Sequence, residues 1–162
     1  MSRLDSFIRR LEAQRACIDH AARLIAGMPG NVLEFGLGNG RTYDHLKSRL
    51  PGRDIYVFER HVAAHPDCIP PAERLFLGDF LETLPRAAAQ LGAHSALANL
   101  DVGSGDEAAS QALARAITPW VLRLLRPGAI VVSDQPFADP SLEALDLPPG
   151  IEPGRYFLRR LR

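Results

Sequence analysis

Short apolar runs alternate along this chain with longer stretches in which apolar residues recur every three or four positions. The short runs have the length of buried strands and lie at residues 32–35, 55–58, 75–77, 96–100 and 129–132. The longer stretches predict helices at residues 2–28, 41–50, 84–91 and 107–125. Strands that alternate with helices favour a parallel sheet covered on both faces. The pattern therefore predicts an α/β fold of the doubly wound kind, with ligands at the carboxyl ends of the strands.

The first predicted helix begins with a capping signal and carries one apolar stripe. Ser2 and Asp5 have the spacing of a capping box, and the helix is expected to reach about Met28. The stripe consists of Phe7, Leu11, Ile18, Ala21, Ile25 and Met28. Its second half is expected to cover the sheet, whereas the arginine-rich first half covers either the domain's own flank or a second subunit. We therefore expect a homo-oligomer that forms through this helix.

Prolines mark the remaining boundaries. The segment HVAAHPDCIPPAE is too rich in proline for a long helix, Thr118-Pro119 is expected to cap and restart the last helix, and RPG is expected to form a turn before the fifth strand. Residues 137–154 are expected to form an ordered loop and residues 156–161 a last strand. A chain of 162 residues has room for one domain. Its parts are a helical region at 1–28, a core at 32–135 and a loop with the last strand at 136–162.

The balance of charges limits the choice of partners. Hydrophobic residues make up 46% of the chain and charged residues 23%, with 19 basic and 19 acidic side chains. A net charge of zero gives no electrostatic reason to bind nucleic acid or an anionic membrane, so neither is expected as a partner. The basic C-terminal sequence GRYFLRRLR is interpreted as a solvated edge strand whose arginines prevent aggregation.

Cysteine use and hydropathy favour a cytoplasmic location. Cys17 and Cys68 lack a CxxC spacing, so no disulfide framework is expected. The N-terminus lacks the apolar core of a signal peptide, and no run reaches the ~20 apolar residues of a membrane span. We therefore expect a protein of the reducing cytoplasm.

Three glycines occupy alternate positions directly after the first predicted strand. Gly36, Gly38 and Gly40 are followed at once by a helix, and glycine admits unusual backbone angles and the close approach of a ligand. The free N–H groups at the start of that helix favour an anionic ligand group. Arg41 stands where a dinucleotide-binding motif needs a small residue, which argues against the alternative of a nicotinamide-dependent oxidoreductase. No Gly-Lys-Ser/Thr follows, which excludes a P-loop.

Five landmarks in order resemble the class I S-adenosylmethionine-dependent methyltransferases. Glu34 and the glycines resemble the first motif of that family, an acid followed by G-x-G-x-G. Glu59 ends the second strand 23 residues after Gly36, Asp79 follows the third strand and Asp101 the fourth. The segment LRPGAIVVSD resembles the turn into the fifth strand. The likeness extends to small bacterial proteins described only as S-adenosyl-L-methionine methyltransferases. It implies a Rossmann-like, doubly wound and mostly parallel sheet of the class I methyltransferase type, with an abbreviated C-terminal part.

The resemblance implies S-adenosylmethionine as the cofactor and S-adenosylhomocysteine as the product. The glycine turn would face the methionine part, with Glu34 near its ammonium group and Asp101 beside both this part and the substrate. Glu59 would accept from both ribose hydroxyls. Asp79 would accept from the adenine amino group, and Phe80 would flank the adenine ring. The cofactor-binding residues implied in this way are Glu34, Gly36, Gly38, Asn39, Gly40, Thr42, Tyr43, Glu59, Arg60, Asp79, Phe80 and Asp101.

The methyl acceptor is expected to be a small molecule that is methylated by direct in-line transfer. A sulfonium donor is already activated, so the enzyme needs alignment and no nucleophilic side chain. The Asn/Asp-Pro-Pro-aromatic signature of many amino-group methyltransferases is absent after the fourth strand, and so is the Pro-Cys pair used for cytosine C5 methylation. The candidate catalytic residues are Asp101, Asp134 and His45. The candidates for the wall of the acceptor pocket are Trp120, Phe137 and Tyr156, of which Trp120 also fits the core.

Two alternatives stay open. Asp101 after the fourth strand, with Asp134 and Gln135 after the fifth, resembles the Mg²⁺ site of catechol-type O-methyltransferases. Gln135 departs from the asparagine of those enzymes by one methylene, and the two acids also fit a cofactor contact and a turn cap. His61 and His65 have the spacing of a zinc pair but lack the HExxH glutamate and are interpreted as solvated.

The second alternative to a small-molecule methyltransferase is a non-catalytic S-adenosylmethionine-binding or regulatory domain.

Overall fold

Strands and helices alternate along the chain as the sequence pattern predicts. The strands are β1 (Asn31–Phe35), β2 (Ile55–Glu59), β3 (Leu75–Leu77), β4 (Ser95–Leu100), β5 (Leu125–Ser133), β6 (Leu142–Ala144) and β7 (Phe157–Leu161). The helices are α1 (Arg3–Leu24), α2 (Arg41–Arg49), α3 (Phe80–Leu91) and α4 (Glu107–Leu124). The computed structural model describes every residue, 1–162. No helix combines the length and the hydropathy that a membrane crossing requires.

All seven strands belong to one sheet, in the spatial order β3-β2-β1-β4-β5-β7-β6. The first five strands run parallel, β7 is antiparallel to β5, and β6 is antiparallel to β7. Because β1 pairs with β2 on one side and with β4 on the other, the strand order reverses at β1 and β4. A crevice opens beyond the carboxyl ends of two such strands. The carboxyl ends are Phe35 and Leu100 here, and the residues that follow them form the candidate site.

Successive residues of a strand point to opposite sides of the sheet, so the apolar central strands make both faces apolar. Helices cover both of these faces. On one face, Ile18 of α1 and Leu46 of α2 belong to the same buried cluster as Val32. On the other face, Leu84 of α3 and Ile117 of α4 share a second buried cluster with the remaining inward side chains of the strands. The nearly continuous apolar composition of the central strands follows from this double coverage.

The capping box predicted at the start of α1 is confirmed. The N–H of Asp5 donates to Ser2 Oγ at 3.0 Å, and the N–H of Ser2 donates to Asp5 Oδ2 at 3.0 Å. The helix ends at Leu24, short of the predicted end near Met28. Gly27 and the proline after Met28 both disfavour helical backbone, which explains the earlier end.

Two helix boundaries differ from the prediction. α3 begins at Phe80, before the predicted start at residue 84, because the Asp79 carboxylate caps it by accepting from the N–H of Leu81 at 2.9 Å. α4 runs through Pro119 without a restart, so the predicted break is wrong. The buried side chains Ile117 and Val121 lie on either side of the proline. Their packing on the sheet outweighs the loss of one backbone hydrogen bond.

The C-terminal part holds more strand than the sequence pattern predicts. The predicted RPG turn lies inside β5, where Gly128 has a φ of +83° and the pairing with β4 shifts register. Residues 142–144 form β6 inside the predicted loop, and β6 pairs with the outer side of β7. β7 is therefore an interior strand, and the expectation that it forms a solvated edge is wrong.

The first half of α1 extends beyond the sheet towards its carboxyl edge. Ala13, Cys17 and Ile18 are buried against the strands. Further towards the N-terminus, Arg10 and Gln14 contact Asp101, which follows β4. This half of the helix therefore packs on the flank of its own domain and forms one wall of the crevice.

Candidate functional site

The three glycines of the turn after β1 have positive φ angles for different structural reasons. Gly36 has a φ of +82°, and a Cβ there would lie 2.5 Å from the carbonyl oxygen of Asp101. Gly40 has a φ of +86°, and a Cβ there would lie 2.4 Å from Cys68 Cβ. Gly38 has a φ of +53°, and a Cβ there would meet no atom within 4 Å. The first and third glycines are therefore required by packing, whereas the second presents bare backbone to open space.

A cleft of about 190 Å³ lies between this turn and α1. Its α1 wall consists of Phe7, Arg10, Leu11 and Gln14. Its opposite wall consists of Gly36, Leu37, Gly38, Asn39, Arg41, Thr42 and Asp101. Gly40 is the N-cap of α2 and has no side chain to cap it, and Asn39 Oδ1 accepts from the N–H of Arg41 at 3.3 Å. The other N–H groups of the first turn keep the positive end of the helix beside the cleft.

The Glu59 carboxylate lies against the glycine turn at the end of β2. Its Oε2 accepts from the N–H of Gly38 at 3.0 Å, and its Oε1 accepts from the N–H of Arg60 at 2.7 Å and of His61 at 3.4 Å. The carbonyl oxygen of Glu59 accepts from the N–H of Gly78 at 2.9 Å, which brings the end of β3 and the α3 cap at Asp79 alongside. Glu59 and Asp79 therefore lie in succession along the carboxyl edge of the sheet.

Glu34 is fully buried beneath the turn. Its Oε1 accepts from Thr42 Oγ1 at 2.5 Å, and its Oε2 accepts from Asn99 Nδ2 at 3.1 Å. Burial raises the pKa of Glu34 to about 8, against the lowering effect of these two hydrogen bonds. Thr42 lines the cleft and Glu34 does not. The carboxyl group therefore reaches the cleft only through the threonine hydroxyl.

Asp101 connects the end of β4 to α1. Arg10 Nη2 donates to Asp101 Oδ1 at 2.9 Å, and Gln14 Nε2 donates to Asp101 Oδ2 at 3.1 Å. The N–H of Asp101 donates to the carbonyl oxygen of Phe35 at 3.2 Å, which holds the residue beside the glycine turn. An ion pair between α1 and the strand end therefore bridges the cleft.

Asp134 lies at the end of β5 and closes the loop after β4. Its Oδ1 accepts from the N–H of Val102 at 3.1 Å, and its Oδ2 accepts from the N–H of Gly103 at 2.8 Å. Burial raises the pKa of Asp134, and the nearby charge of Asp101 raises it further, while the two backbone hydrogen bonds oppose the shift. A Cβ on Gly103 would lie 3.1 Å from Gln135 Nε2, so the glutamine amide borders the same loop.

Tyr156, directly before β7, completes this group of side chains. The residue is 1% exposed, and its hydroxyl is buried without a hydrogen-bond partner. Burial raises the pKa of the Tyr156 hydroxyl, and the charge of Asp101 raises it further, with smaller effects from Arg10 and Asp134. A buried hydroxyl without a partner is rare in folded proteins. Two acids and a phenol hydroxyl without a partner thus lie together where β4 and β5 end and β7 begins.

The whole chain matches one protein family. Residues 1–161 match the family model described as S-adenosyl-L-methionine methyltransferase. The chain is a member of the S-adenosyl-L-methionine methyltransferase family. Its enzyme class is S-adenosylmethionine-dependent methyltransferase, and its cofactor is S-adenosylmethionine.

Solved structures agree with this assignment. The S-adenosyl-L-methionine methyl transferase from Silicibacter pomeroyi DSS-3 is 46% identical, with 100% of this chain and 99% of that chain covered and a TM-score of 0.95. An O-methyltransferase from Bacillus cereus, solved in complex with SAH, is 16% identical, with coverages of 100% and 82% and a TM-score of 0.61. Human methyltransferase-like protein 13, also in complex with SAH, is 15% identical, with coverages of 93% and 81% and a TM-score of 0.62. The last two show a shared fold only, and no curated protein matches the sequence.

The residues of this methyltransferase fit its cofactor. The backbone of Gly38 borders the cleft, and the start of α2 favours a carboxylate at the N–H groups other than that of Arg41, which donates to Asn39 Oδ1. Arg10 and Asp101 supply one charge of each sign in the same cleft. Glu59 is only partly buried at the next strand end. A ligand with a charged amino-acid head and a sugar matches this succession of groups.

The structure brings some of the predicted site residues together and separates others. Those that line the cleft are Gly36, Gly38, Asn39, Thr42 and Asp101, with Glu59, Arg60 and Asp79 following along the same edge. Tyr43 is 5% exposed and belongs to the core under α2. Phe80 is 9% exposed, and its ring lies edge-on to Phe35 at 5.7 Å, so it forms part of the other core instead of standing free at the edge.

The remaining candidates lie in other parts of the fold. His45 Nε2 lies 2.8 Å from Asp19 Oδ1 of α1, outside the cleft over the glycine turn. Phe137 is 1% exposed and belongs to the core. Trp120 is partly buried on α4 beneath the guanidinium of Arg123, which lies 4.8 Å from the ring centroid. Tyr156, the third candidate for the acceptor pocket, lies near the two acids.

Three polar residues of the site were missed by sequence reasoning. Arg10 and Gln14 stand in line with Cys17 on the buried face of α1, where polar side chains interrupt an otherwise apolar line. Asn99 is 1% exposed near the end of β4, between the apolar residues Ala98 and Leu100. A polar residue at a position that must be buried is itself a sequence signal for a partner.

Proposed function

We propose that this methyltransferase transfers a methyl group in line to a small-molecule acceptor bound beside Asp101, Asp134 and Tyr156. The observation that carries this proposal is the buried Tyr156 hydroxyl without a partner, next to two carboxylates at the carboxyl edge of the sheet. When bound, S-adenosylmethionine supplies the activated methyl group. The remaining work of the protein is to exclude water, hold the acceptor in line and receive a proton. Alignment of this kind is worth roughly 7–11 kcal/mol.

We propose separate roles for the two acids. The raised pKa of Asp134 suits a group that takes the proton of an acceptor O–H or N–H, because a base works best when its pKa approaches the working pH. Asp101 is held by Arg10 and Gln14 at the cofactor cleft and is better placed for the cofactor. Tyr156 is suited to orient the acceptor by hydrogen bonding. His45 is engaged by Asp19 and is not part of this proposal.

We propose that the cofactor extends from the α1 cleft along the strand ends. Its sugar hydroxyls would donate to the partly buried Glu59, and its adenine amino group would donate to Asp79, which keeps one carboxylate oxygen free of the α3 cap. The backbone of Gly38 and the side chain of Asn39 would lie along its thioether part. The Glu34 carboxyl would support Thr42 from beneath.

The test of the acceptor site compares Tyr156→Phe with Tyr56→Phe. Tyr56 is partly buried on the far side of the sheet against Phe76, so the control removes a similar hydroxyl outside the site. Formation of S-adenosylhomocysteine is measured with a panel of phenols, catechols, alcohols, amines and thiols. We expect turnover of at least one compound and a loss of about tenfold or more in Tyr156→Phe alone. Equal activity in both variants, or methyl label that enters only macromolecules of a cell extract, would contradict the proposal.

A Mg²⁺-dependent reaction on a catechol is the second candidate, favoured by the convergence of Asp101 and Asp134 beside Gln135. No third acidic, histidine or cysteine side chain joins the two acids. All four of their carboxylate oxygens already accept N–H groups, from Arg10, Gln14 and the loop after β4. A metal would have to displace these donors. Activity on catechols that rises with Mg²⁺ and vanishes with a chelator would support the candidate, and indifference to both would end it.

We also propose that two copies associate through the first turns of α1. Leu4 is 65% exposed, Phe7 46% and Ile8 44%, and their i, i+3, i+4 spacing places them on one side of the helix as an exposed apolar patch. Light scattering after size-exclusion chromatography should give a dimer for the wild type and a monomer for Leu4→Glu/Ile8→Glu. A monomeric wild type would refute the association.

A further inference from the structure

Arg10 and Asp101 form an ion pair in the cleft over the glycine turn. Arg10 Nη2 lies 2.9 Å from Asp101 Oδ1, and the two side chains are 40% and 24% exposed. This bond uses one of the five N–H donors of the guanidinium, and no other hydrogen bond holds Arg10. The arginine is therefore attached to the site at a single point and is free to turn towards a ligand.

The surroundings of the pair favour a ligand that carries both charges. The first turn of α2 borders the same cleft and attracts an anion through the N–H groups that remain after Asn39 Oδ1 has accepted from the N–H of Arg41 at 3.3 Å. On the other side, Asp134 and Tyr156 lie near Asp101, so the acid end of the pair belongs to a region that is short of positive charge. The cleft thus has one end that attracts an anion and another end that attracts a cation.

The amino-acid head of S-adenosylmethionine carries an ammonium and a carboxylate on one carbon atom. Glu34, the acid of the glycine motif, does not reach the cleft, because it is fully buried and both of its oxygens accept hydrogen bonds. Asp101 is the one acid among the residues that line the cleft, and Arg10 is the arginine paired with it. The chain therefore offers this head one cation and one anion that are already matched to each other.

We propose that the Arg10–Asp101 ion pair is the receptor for the amino-acid head of the cofactor and that the pair separates when the cofactor binds. Asp101 then accepts from the ammonium, and Arg10 donates to the carboxylate. This inference rests on the proposed location of the cofactor in the α1 cleft. It also gives α1 a function, because the helix carries one half of the receptor across the cleft.

The exchange explains how charged groups persist in a half-buried cleft. Without cofactor the two side chains neutralise each other, and with cofactor each has a new partner of opposite charge, so neither state leaves an unpaired charge. Removal of one member leaves the other unpaired in the free protein and leaves one charge of the head group unpaired in the complex. The receptor also selects for the head group, since a nucleoside without ammonium and carboxylate gains nothing from the separation.

The experiment compares two ligands by titration calorimetry. S-Adenosylhomocysteine carries the amino-acid head, whereas 5′-methylthioadenosine has the same nucleoside and thioether without it. Binding of both is measured for the wild type, Arg10→Ala and Asp101→Asn. Arg9→Ala serves as the matched control, because Arg9 is the neighbouring arginine of α1 and does not line the cleft. Thermal unfolding of each variant verifies that it is folded.

We expect Arg10→Ala and Asp101→Asn to weaken the binding of S-adenosylhomocysteine by about tenfold or more, which is the effect of one lost charge-assisted contact. Affinity for 5′-methylthioadenosine should stay within about twofold in the same variants, and Arg9→Ala should change neither. Equal weakening of the binding of both ligands, or an unchanged affinity for S-adenosylhomocysteine, would refute the proposed role of the ion pair. A wild type that binds 5′-methylthioadenosine and S-adenosylhomocysteine equally well would overturn it too. A wild type that binds neither ligand would instead refute the location of the cofactor.

Discussion

The backbone N–H of Gly38 donates to Glu59 Oε2 at 3.0 Å and so ties the glycine turn after β1 to the end of β2. The bond holds the Glu59 carboxylate beside bare backbone that opens to the cleft. Two strand ends are thereby joined into one binding edge, at the point where doubly wound sheets place their ligands.

The carboxylate of Glu59 should carry much of the affinity for the cofactor. Glu59→Gln keeps the size of the side chain but loses the charge that two ribose hydroxyls would share. We expect S-adenosylhomocysteine to bind about tenfold to a hundredfold more weakly, since hydrogen bonds to charged groups contribute about 1.5–3 kcal/mol. Calorimetry measures the loss, and Glu73→Gln, at an exposed site outside this edge, is the control. Similar affinities in both variants would show that Glu59 does not contribute to cofactor binding.

Gly38 and Gly52 form a matched pair for testing the cleft. Both have positive φ angles, +53° and +82°, and a Cβ at either position meets nothing within 4 Å. Alanine at each should therefore destabilise the fold by about 1–2 kcal/mol through its backbone angle alone. Only Gly38→Ala should abolish cofactor binding, because only its methyl group would project into the cleft. Intact binding by a folded Gly38→Ala variant would show that the ligand does not approach this turn.

Burial of Glu34 should make the stability of the protein fall with rising pH. Its pKa is raised from 4.5 to about 8, so the unfolded chain loses the proton first. The contribution of this carboxyl to stability is complete below the unfolded pKa and is lost progressively as pH rises towards the folded pKa. The slope for one group is at most about 1.4 kcal/mol per pH unit.

The variant Glu34→Gln isolates this effect, because it mimics the neutral acid at every pH. Asn99 Oδ1 has no partner, and a flip of the amide would present it to the NH2 group of the glutamine. Denaturant unfolding across the range between the two pKa values should show a falling stability for the wild type and a smaller slope for the variant. Identical slopes would indicate that Glu34 is ionised in the folded protein.

The hydroxyl of Tyr156 should be neutral or unfavourable for stability. It is buried without a partner, and a group in this state has lost its hydration with no hydrogen bond in return. Tyr156→Phe should therefore leave the free energy of unfolding unchanged or raise it by about 1 kcal/mol. Denaturant unfolding measures the difference. A clear loss of stability would reveal a structural partner for the hydroxyl and would weaken its proposed role with the acceptor.

The sequence predicted the parts of the molecule that depend on local pattern. The strands β1 to β5 and the turn at Gly36 follow from apolar runs and glycine spacing, which act over a few residues. Acids at strand ends, such as Glu59, could be placed because the carboxyl ends of parallel strands share one edge. The capping box of α1 was likewise readable from two residues.

The rest depended on contacts between distant parts of the chain. Arg10 and Asp101 are separated by 91 positions, and nothing near either residue indicates the other. Pro119 is tolerated because α4 packs on the sheet both before and after the proline. A prediction from neighbouring residues alone does not include this packing. β6 is three residues long and is a strand only because β7 lies beside it.

A crystal structure of the protein with S-adenosylhomocysteine tests the central claim most directly. We predict the nucleoside sugar on Glu59, the thioether over Gly38, and the amino-acid head between an Asp101 and an Arg10 that no longer contact each other. A ligand bound elsewhere, or a head group that leaves the Arg10–Asp101 bond intact, would contradict the account.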